Sequence, residues 1–253
     1  MRLALCQMNI LWEDKKQNID KAEQFIKSAE SDIIFFPEMS FTGFSMNISN
    51  TKEKDCSVNI VKKIAVKYNV AVGFGWTREW KDKGENVYTV INNKGEVISE
   101  YIKLHPFSYS GEDIYFKAGN SITTFEYNDF KIGTLICYDL RFPEVFQALS
   151  ESVDLIVVPA CWPDKRSDHW KSLLKARAIE NQCYIAGVNC VGNIGGTYYS
   201  GNSMVINPNG DILNCAENKE MLVCIELKND VARYRHDFPV KRDRRVSLYK
   251  ELI

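Results

Sequence analysis

Two hydrophobic periods alternate along this chain, and each change from one to the other marks out an element. Residues 2–9 are dominated by apolar positions and read as a strand. From 15 to 29, Ile19, Ala22, Phe25, Ile26 and Ala29 recur at three- and four-residue spacing, which predicts an amphipathic helix. A second helix over 58–69 turns Val58, Val61, Ile64, Ala65 and Tyr68 inward. The short apolar runs at 32–38 (DIIFFPE) and 70–76 (VAVGFGW) have the length of strands buried on both faces. Three segments read as hairpins: 87–103 turning at Asn93-Lys94-Gly95, 122–137 turning at Asn128-Asp129, and 203–214. Between them lie a helix at 143–152, opened by Pro143 in its first turn, a strand at 154–160, a helix at 168–182 and a strand at 183–189. A strand at 221–227 and a helix at 228–238 follow.

Apolar strands followed by helices belong in sheet interiors, and hairpins supply antiparallel edges. A strand–helix–strand–helix–strand run occurs early, and a similar run returns from Cys137 onward. Two such half-layers, packed sheet against sheet, predict an α/β fold: a four-layer αββα sandwich of two mixed β-sheets with helices outside. No linker, low-complexity tract or charge block interrupts the pattern, so residues 1–253 read as a single domain.

Composition narrows the partners. Apolar residues make up 45% and charged residues 26%, the balance of a soluble globular protein. A net charge of −1 suggests no polyanion, so no nucleic acid is expected. Lys241, Arg242, Arg244 and Arg245 form the one concentrated basic run, which suits salt bridges or a subunit contact better. The eight cysteines form no CxxC and no zinc spacing with histidine, so no metal is expected. Most, like Cys183 and Cys224, sit in apolar stretches as small core residues. The chain opens into a strand pattern instead of a secretory leader, and a reducing cytoplasm is expected. No apolar stretch reaches the ~20 residues that cross a bilayer, so no membrane partner is expected.

Cys137 departs from the other thiols. It follows the apolar run Ile132 to Ile136 and precedes Tyr138-Asp139-Leu140-Arg141-Phe142-Pro143, too polar to continue a strand. An elbow there exposes the sulfur and brings backbone N–H groups beside it, including that of Tyr138, to stabilise a thiolate or an oxyanion. Glu38 closes another buried strand after Phe35-Phe36-Pro37. Loss of hydration there raises a carboxyl toward the range of a general base, although an exposed loop acid fits the same residues. Lys103 ends the alternating strand of 87–103. Taken alone it reads as a solvated lysine; taken with the others it is a cation for a tetrahedral oxyanion. A thiol, a carboxylate and an ammonium at three strand ends are what amide cleavage through a thioester requires. His105 offers a Cys–His alternative without a partner signature. A metal-dependent phosphodiesterase would need clustered Asp, Asn and His, and would leave Cys137 unexplained.

FFPEMSFTGF, KLHPFSYSGED and GTLICYDLRFPE, in this order, resemble the three signature segments of the nitrilase, or carbon–nitrogen hydrolase, superfamily. The resemblance implies Glu38 as general base, Lys103 as oxyanion cation and Cys137 as nucleophile. It adds Glu112 as a second active-site carboxylate, and implies an αββα fold that usually dimerises, with no cofactor. WPDKRSDHW, KARAIENQCYIAGVN, YSGNSMVINPNGDIL and FPVKRDRRVSLY are similar to the omega-amidase branch, which implies a small 2-oxo acid monoamide such as 2-oxoglutaramate as substrate. A nitrilase or a carbamoylase shares the same core motifs. A carboxylate-bearing substrate needs a cation, for which Arg166 is the candidate, with Trp162, Phe41 and Tyr109 as walls. Arg141 is expected to tie the elbow to a nearby acid. Lys171 departs from the acid or amide of many relatives and bears on substrate choice.

Overall fold

Alternate residues of the first strand, β1 (Arg2–Gln7), enter two different cores. Leu3 and Leu5 join one cluster and Ala4 and Cys6 the other, as the two-residue period of a strand requires. β2 (Ile33–Phe35) does the same, with Ile33 and Phe35 on one side and Ile34 on the other. This sheet is therefore covered on both faces, and its strands are apolar throughout.

The computed structural model describes residues 1–252 and arranges them in this order. After β1 come α1 (Lys15–Ser28), β2, α2 (Ile48–Thr51), α3 (Cys56–Tyr68), β3 (Ala71–Trp80), β4 (Lys83–Ile91) and β5 (Val97–Ile102). Next are α4 (Glu112–Tyr115), β6 (Thr124–Tyr127), β7 (Phe130–Thr134), α5 (Pro143–Ser150), β8 (Leu155–Ala160), α6 (Ser167–Asn181) and β9 (Tyr184–Asn189). The chain continues through β10 (Val191–Ile194), β11 (Thr197–Ser200), β12 (Met204–Ile206), β13 (Ile212–Cys215), β14 (Met221–Glu226), α7 (Val231–Asp237) and α8 (Val246–Leu252).

Two six-stranded sheets have the orders β14-β1-β2-β3-β4-β5 and β6-β7-β8-β9-β12-β13. Read in these directions, both show antiparallel, parallel, parallel, antiparallel and antiparallel pairings. The half-layer predicted twice is thus repeated in connectivity, without a repeat in sequence. α1 and α3 cover the outer face of the first sheet through Ile19, Ala22, Ile26, Val58, Val61 and Ile64. The inner core joins Phe35, Tyr88 and Tyr101 of the first sheet to Ile132, Leu155 and Ala186 of the second. Phe146, Leu149, Trp170 and Leu174 of α5 and α6 belong to the same cluster. The result is the four-layer αββα sandwich.

Besides the short helices α2, α4 and α8, which the periodicity does not mark, two strand regions differ from it. β3 runs on to Trp80 and turns at Lys81, whose φ is 50°, into β4 at Lys83. Thr77 to Asn86 is too polar to read as strand, yet ion pairs across the ladder sustain it: Arg78 Nη2 lies 2.8 Å from Glu85 Oε2. A small separate hairpin, β10–β11, also escaped the pattern because it is only four residues a side and rich in glycine and polar groups. No helix among the described residues is long and apolar enough to cross a membrane.

Candidate active site

Three strand ends meet at one cleft. β2 stops at Phe35, and Phe36-Pro37 carry the chain to Glu38 beside β3. Gly75 of β3 allows this approach, since a Cβ there would lie 2.4 Å from Met39 N and 3.0 Å from Glu38 Cα. Lys103 follows β5, its N–H bonded to Asn86 O at 3.0 Å. Cys137 follows β7 and opens a 3₁₀ turn, Cys137–Arg141, with φ at 45°. This left-handed backbone at a non-glycine residue is local strain held by the surrounding structure.

The four charged or nucleophilic groups converge without solvent. Glu38, Lys103 and Glu112 are fully buried, and Cys137 is 9% exposed. Lys103 Nζ donates to Glu38 Oε1 at 2.8 Å and to Glu112 Oε2 at 2.8 Å. Asn86 Nδ2 bridges the two carboxylates, at 2.8 Å from Glu38 Oε1 and 3.0 Å from Glu112 Oε1. Glu38 Oε2 accepts from Cys161 N at 3.0 Å, and Glu112 Oε2 accepts from Phe107 N. Cys137 Sγ lies 3.9 Å from Cys161 O, the same residue that anchors Glu38.

The electrostatics follow from this packing. Burial, and then the Glu38 charge, push the Cys137 thiol well above an ordinary cysteine, against the pull of Lys103. Burial disfavours the Lys103 ammonium, but Glu112 and Glu38 outweigh it and hold that group well above the usual lysine range. Burial and Glu38 raise Glu112 despite Lys103. The resting site is therefore a neutral thiol beside a carboxylate–ammonium–carboxylate cluster. Such a site attacks by passing the thiol proton to an acceptor as the sulfur bonds carbon.

A third buried carboxylate, Asp139, holds the elbow. Asp139 Oδ2 accepts from Tyr101 OH at 2.7 Å and from Ile136 N at 2.9 Å. Its Oδ1 accepts from His105 N at 3.0 Å and lies 2.7 Å from His105 Nδ1. The Cys137 turn and the Lys103 segment are thus tied through one side chain. The first N–H bonded within the turn is that of Asp139, to Ile136 O at 2.9 Å, so the Tyr138 N–H lies ahead of the ladder.

The cleft above Cys137 has a volume of about 240 Å³. The structure brings Glu38, Lys103, Glu112 and Cys137 together, and places Tyr138, Arg166, Trp162 and Tyr109 on the cleft wall. Phe41 is not on that wall. Its ring packs against Phe74, 5.5 Å between centroids, in the core under α1, and Phe44 faces the cleft instead. Arg141 has no acid partner among the described residues. It lines the cleft, stacked 4.8 Å over the Trp162 ring, with Nη2 3.3 Å from His169 Nδ1. The ring of His105 is engaged by Asp139 and stacked on Phe142 at 3.8 Å. Lys171 pairs with Asp168 at 3.3 Å and does not line the cleft. Asn86, Asp139 and Tyr199 were missed from sequence. Asp139 lies between Tyr138 and Leu140, a weak signal; Asn86 follows Glu85 at the end of a polar stretch and carries none, and Tyr199 comes from the unpredicted hairpin.

A buried thiol, a carboxylate it can pass its proton to and a fixed ammonium define a cysteine-dependent hydrolase of carbon–nitrogen bonds. The comparisons agree: residues 2–236 match the carbon–nitrogen hydrolase family model, and the chain belongs to that family. It is 34% identical to a 2-oxoglutaramate amidase of Bacillus subtilis, over 98% of each chain. It is also 34% identical to an omega-amidase, YafV, of Escherichia coli, over 96% of each chain. Among solved structures, a CN-hydrolase superfamily protein from Xanthomonas campestris superposes with a TM-score of 0.91 at 28% identity, covering 96% of this chain and 97% of the other. An amidase from Nesterenkonia sp. shares the fold, with a TM-score of 0.89 at 23% identity over all of both chains.

Proposed function

We propose that this enzyme releases ammonia from the terminal amide of small carboxylate-bearing amides, 2-oxo acid monoamides such as 2-oxoglutaramate in particular. The observation that carries the chemistry is Lys103 Nζ held 2.8 Å from Glu38 Oε1 beside the neutral Cys137 thiol. Glu38 takes the thiol proton as sulfur bonds the amide carbon. Lys103 and the Tyr138 N–H hold the oxyanion, and Glu112 fixes Lys103. The C–N bond breaks as Glu38 returns its proton to nitrogen, and ammonia leaves. Water, deprotonated by Glu38, then attacks the thioester, and the acid departs as the thiol re-forms. Losing one oxyanion donor of this kind costs roughly 100- to 1000-fold in turnover.

Two relatives named for amidases of this class support the substrate, as do two guanidiniums, Arg141 and Arg166, in one small aromatic cleft. Arg166 remains the proposed carboxylate ligand, carried over Phe107 at 5.5 Å, and Arg141 is a second. Trp162 and Tyr109 are the proposed walls. Exposed Phe238, Val246 and Tyr249 near the C-terminus supply apolar surface for a homodimer, which light scattering measures. Cys183 lies in the core as expected, but Cys224, on the edge strand β14, is exposed instead; with the exposed Cys56 and Cys215 it carries a free thiol, which suits a reducing cytoplasm.

The test is ammonia release across dicarboxylic monoamides, 2-oxo acid amides, nitriles and N-carbamoyl compounds, with Cys137→Ala as control. Turnover of 2-oxo acid monoamides that is lost by at least roughly 10³-fold in the folded variant is the expected result. Retained ammonia release in that variant removes the mechanism, and preference for nitriles or carbamoyl compounds removes the substrate.

A further inference from the structure

The hairpin β10–β11 lends the cleft two side chains. Thr197 and Tyr199 are two residues apart on β11 and share one face, which lines the cleft. Tyr198 points the other way and is exposed, its hydroxyl accepting from Asn218 Nδ2 at 2.6 Å. Tyr199 is 5% exposed, and its hydroxyl, which makes no hydrogen bond among the described residues, opens on the cleft. It lies close to Cys161, Cys190, Cys137 and Glu38. Burial first, and Glu38 among its neighbours, push the phenol well above an ordinary tyrosine, so it stays a hydrogen-bond donor.

A hydroxyl that faces a cleft and makes no bond to the protein can donate to an acceptor on a bound ligand. The other groups of the cleft already have uses in the proposed reaction. Lys103 and the Tyr138 N–H face the oxyanion, Glu38 meets the nitrogen, and the guanidiniums suit the distal carboxylate. An oxygen on the chain between amide and carboxylate is the acceptor that remains.

We propose that the Tyr199 hydroxyl donates to the 2-oxo oxygen of the substrate and so selects 2-oxo acid monoamides over the matching plain dicarboxylic monoamides. This rests on the amidase reading above. A site built to hydrogen-bond a substrate oxygen discriminates against the analogue lacking it, because the site's polar group is then left unpaired.

The test compares kcat/KM for 2-oxoglutaramate and for glutaramate, which differ only in the oxo group, in the wild-type enzyme and in Tyr199→Phe. The wild-type enzyme is expected to favour the oxo compound, and the variant to lower that ratio roughly tenfold. Glutaramate turnover reports that the variant is folded, and Thr197→Val, measured in parallel, gives the change in ratio caused by altering the neighbouring donor on the same face. An unchanged ratio in Tyr199→Phe, an equal loss on both substrates, or a larger ratio change in Thr197→Val overturns the assignment. Hydrolysis of neither compound by the wild-type enzyme overturns the amidase reading itself, and the assignment with it.

Discussion

Tyr101 OH lies 2.7 Å from Asp139 Oδ2, and this bond, beside those of His105 to Asp139 Oδ1, joins the strand that delivers Lys103 to the turn that delivers Cys137. Both groups are fully buried. Burial and the Asp139 charge push the Tyr101 phenol well up, so it acts as a donor only. The spacing of ammonium and sulfur therefore depends on a side chain that touches neither.

Tyr101→Phe removes that donor while keeping the ring. A hydrogen bond to a buried charged group contributes about 1.5–3 kcal/mol, so urea unfolding is expected to show a loss of that order. Because the elbow loosens relative to Lys103, kcat is expected to fall several-fold with little change in KM. Lower stability at unchanged kcat means that Asp139 braces the fold without positioning the thiol.

Lys103→Met leaves two buried carboxylates facing each other. Breaking a buried charge cluster in this way costs about 3–5 kcal/mol at neutral pH. In the wild-type enzyme the lysine pKa is raised, so its contribution is complete below the ordinary lysine value and is lost only as pH climbs beyond it. In the variant Glu112, already raised, rises further. A carboxyl raised in the folded state makes the folded protein bind extra protons, so stability falls as pH climbs. The gap in Tm between variant and wild type is expected to widen from pH 5 to pH 8 by calorimetry. A gap independent of pH rules out the carboxylate repulsion.

The Cys137 thiol is neutral at rest, and its reactivity depends on the neighbouring carboxylate and not on prior ionisation. Alkylation by iodoacetamide, followed site by site with mass spectrometry, is expected to change less than about twofold at Cys137 between pH 7 and pH 9. An ordinary thiol titrating near 8.5 gains roughly tenfold or more over that interval. A rise of tenfold or more at Cys137 shows that the sulfur reacts through prior ionisation and removes the carboxylate's part in its activation.

Arg166→Ala and Arg141→Ala separate the two guanidiniums of the cleft. Losing a charge-assisted hydrogen bond to a substrate carboxylate is expected to raise KM about 10- to 100-fold for carboxylate-bearing amides, and far less for neutral ones. The variant with the larger selective effect identifies the ligand. Equal effects on both kinds of amide in both variants show that neither arginine reads the carboxylate.

The chain's own pattern determined the elements and the chemistry at their ends. Alternation in β1 and β2, the helical stripes of α1 and α3, and the breaks after Phe35, Ile102 and Ile136 are local properties, written in residues a few positions apart. Motif resemblance supplied Glu112, which no local period marks. Only the tertiary structure decided what lies beside what. Asn86 reaches both carboxylates across 48 and 26 residues of chain, Asp139 meets Tyr101 across 38, and Cys161 anchors Glu38 across 123. It also turned Phe41 into the core and Arg141 into the cleft, and brought the β10–β11 hairpin over the thiol. The physical reason is that burial and partner choice depend on the packing of two sheets, whereas periodicity records only that a residue has an inside and an outside.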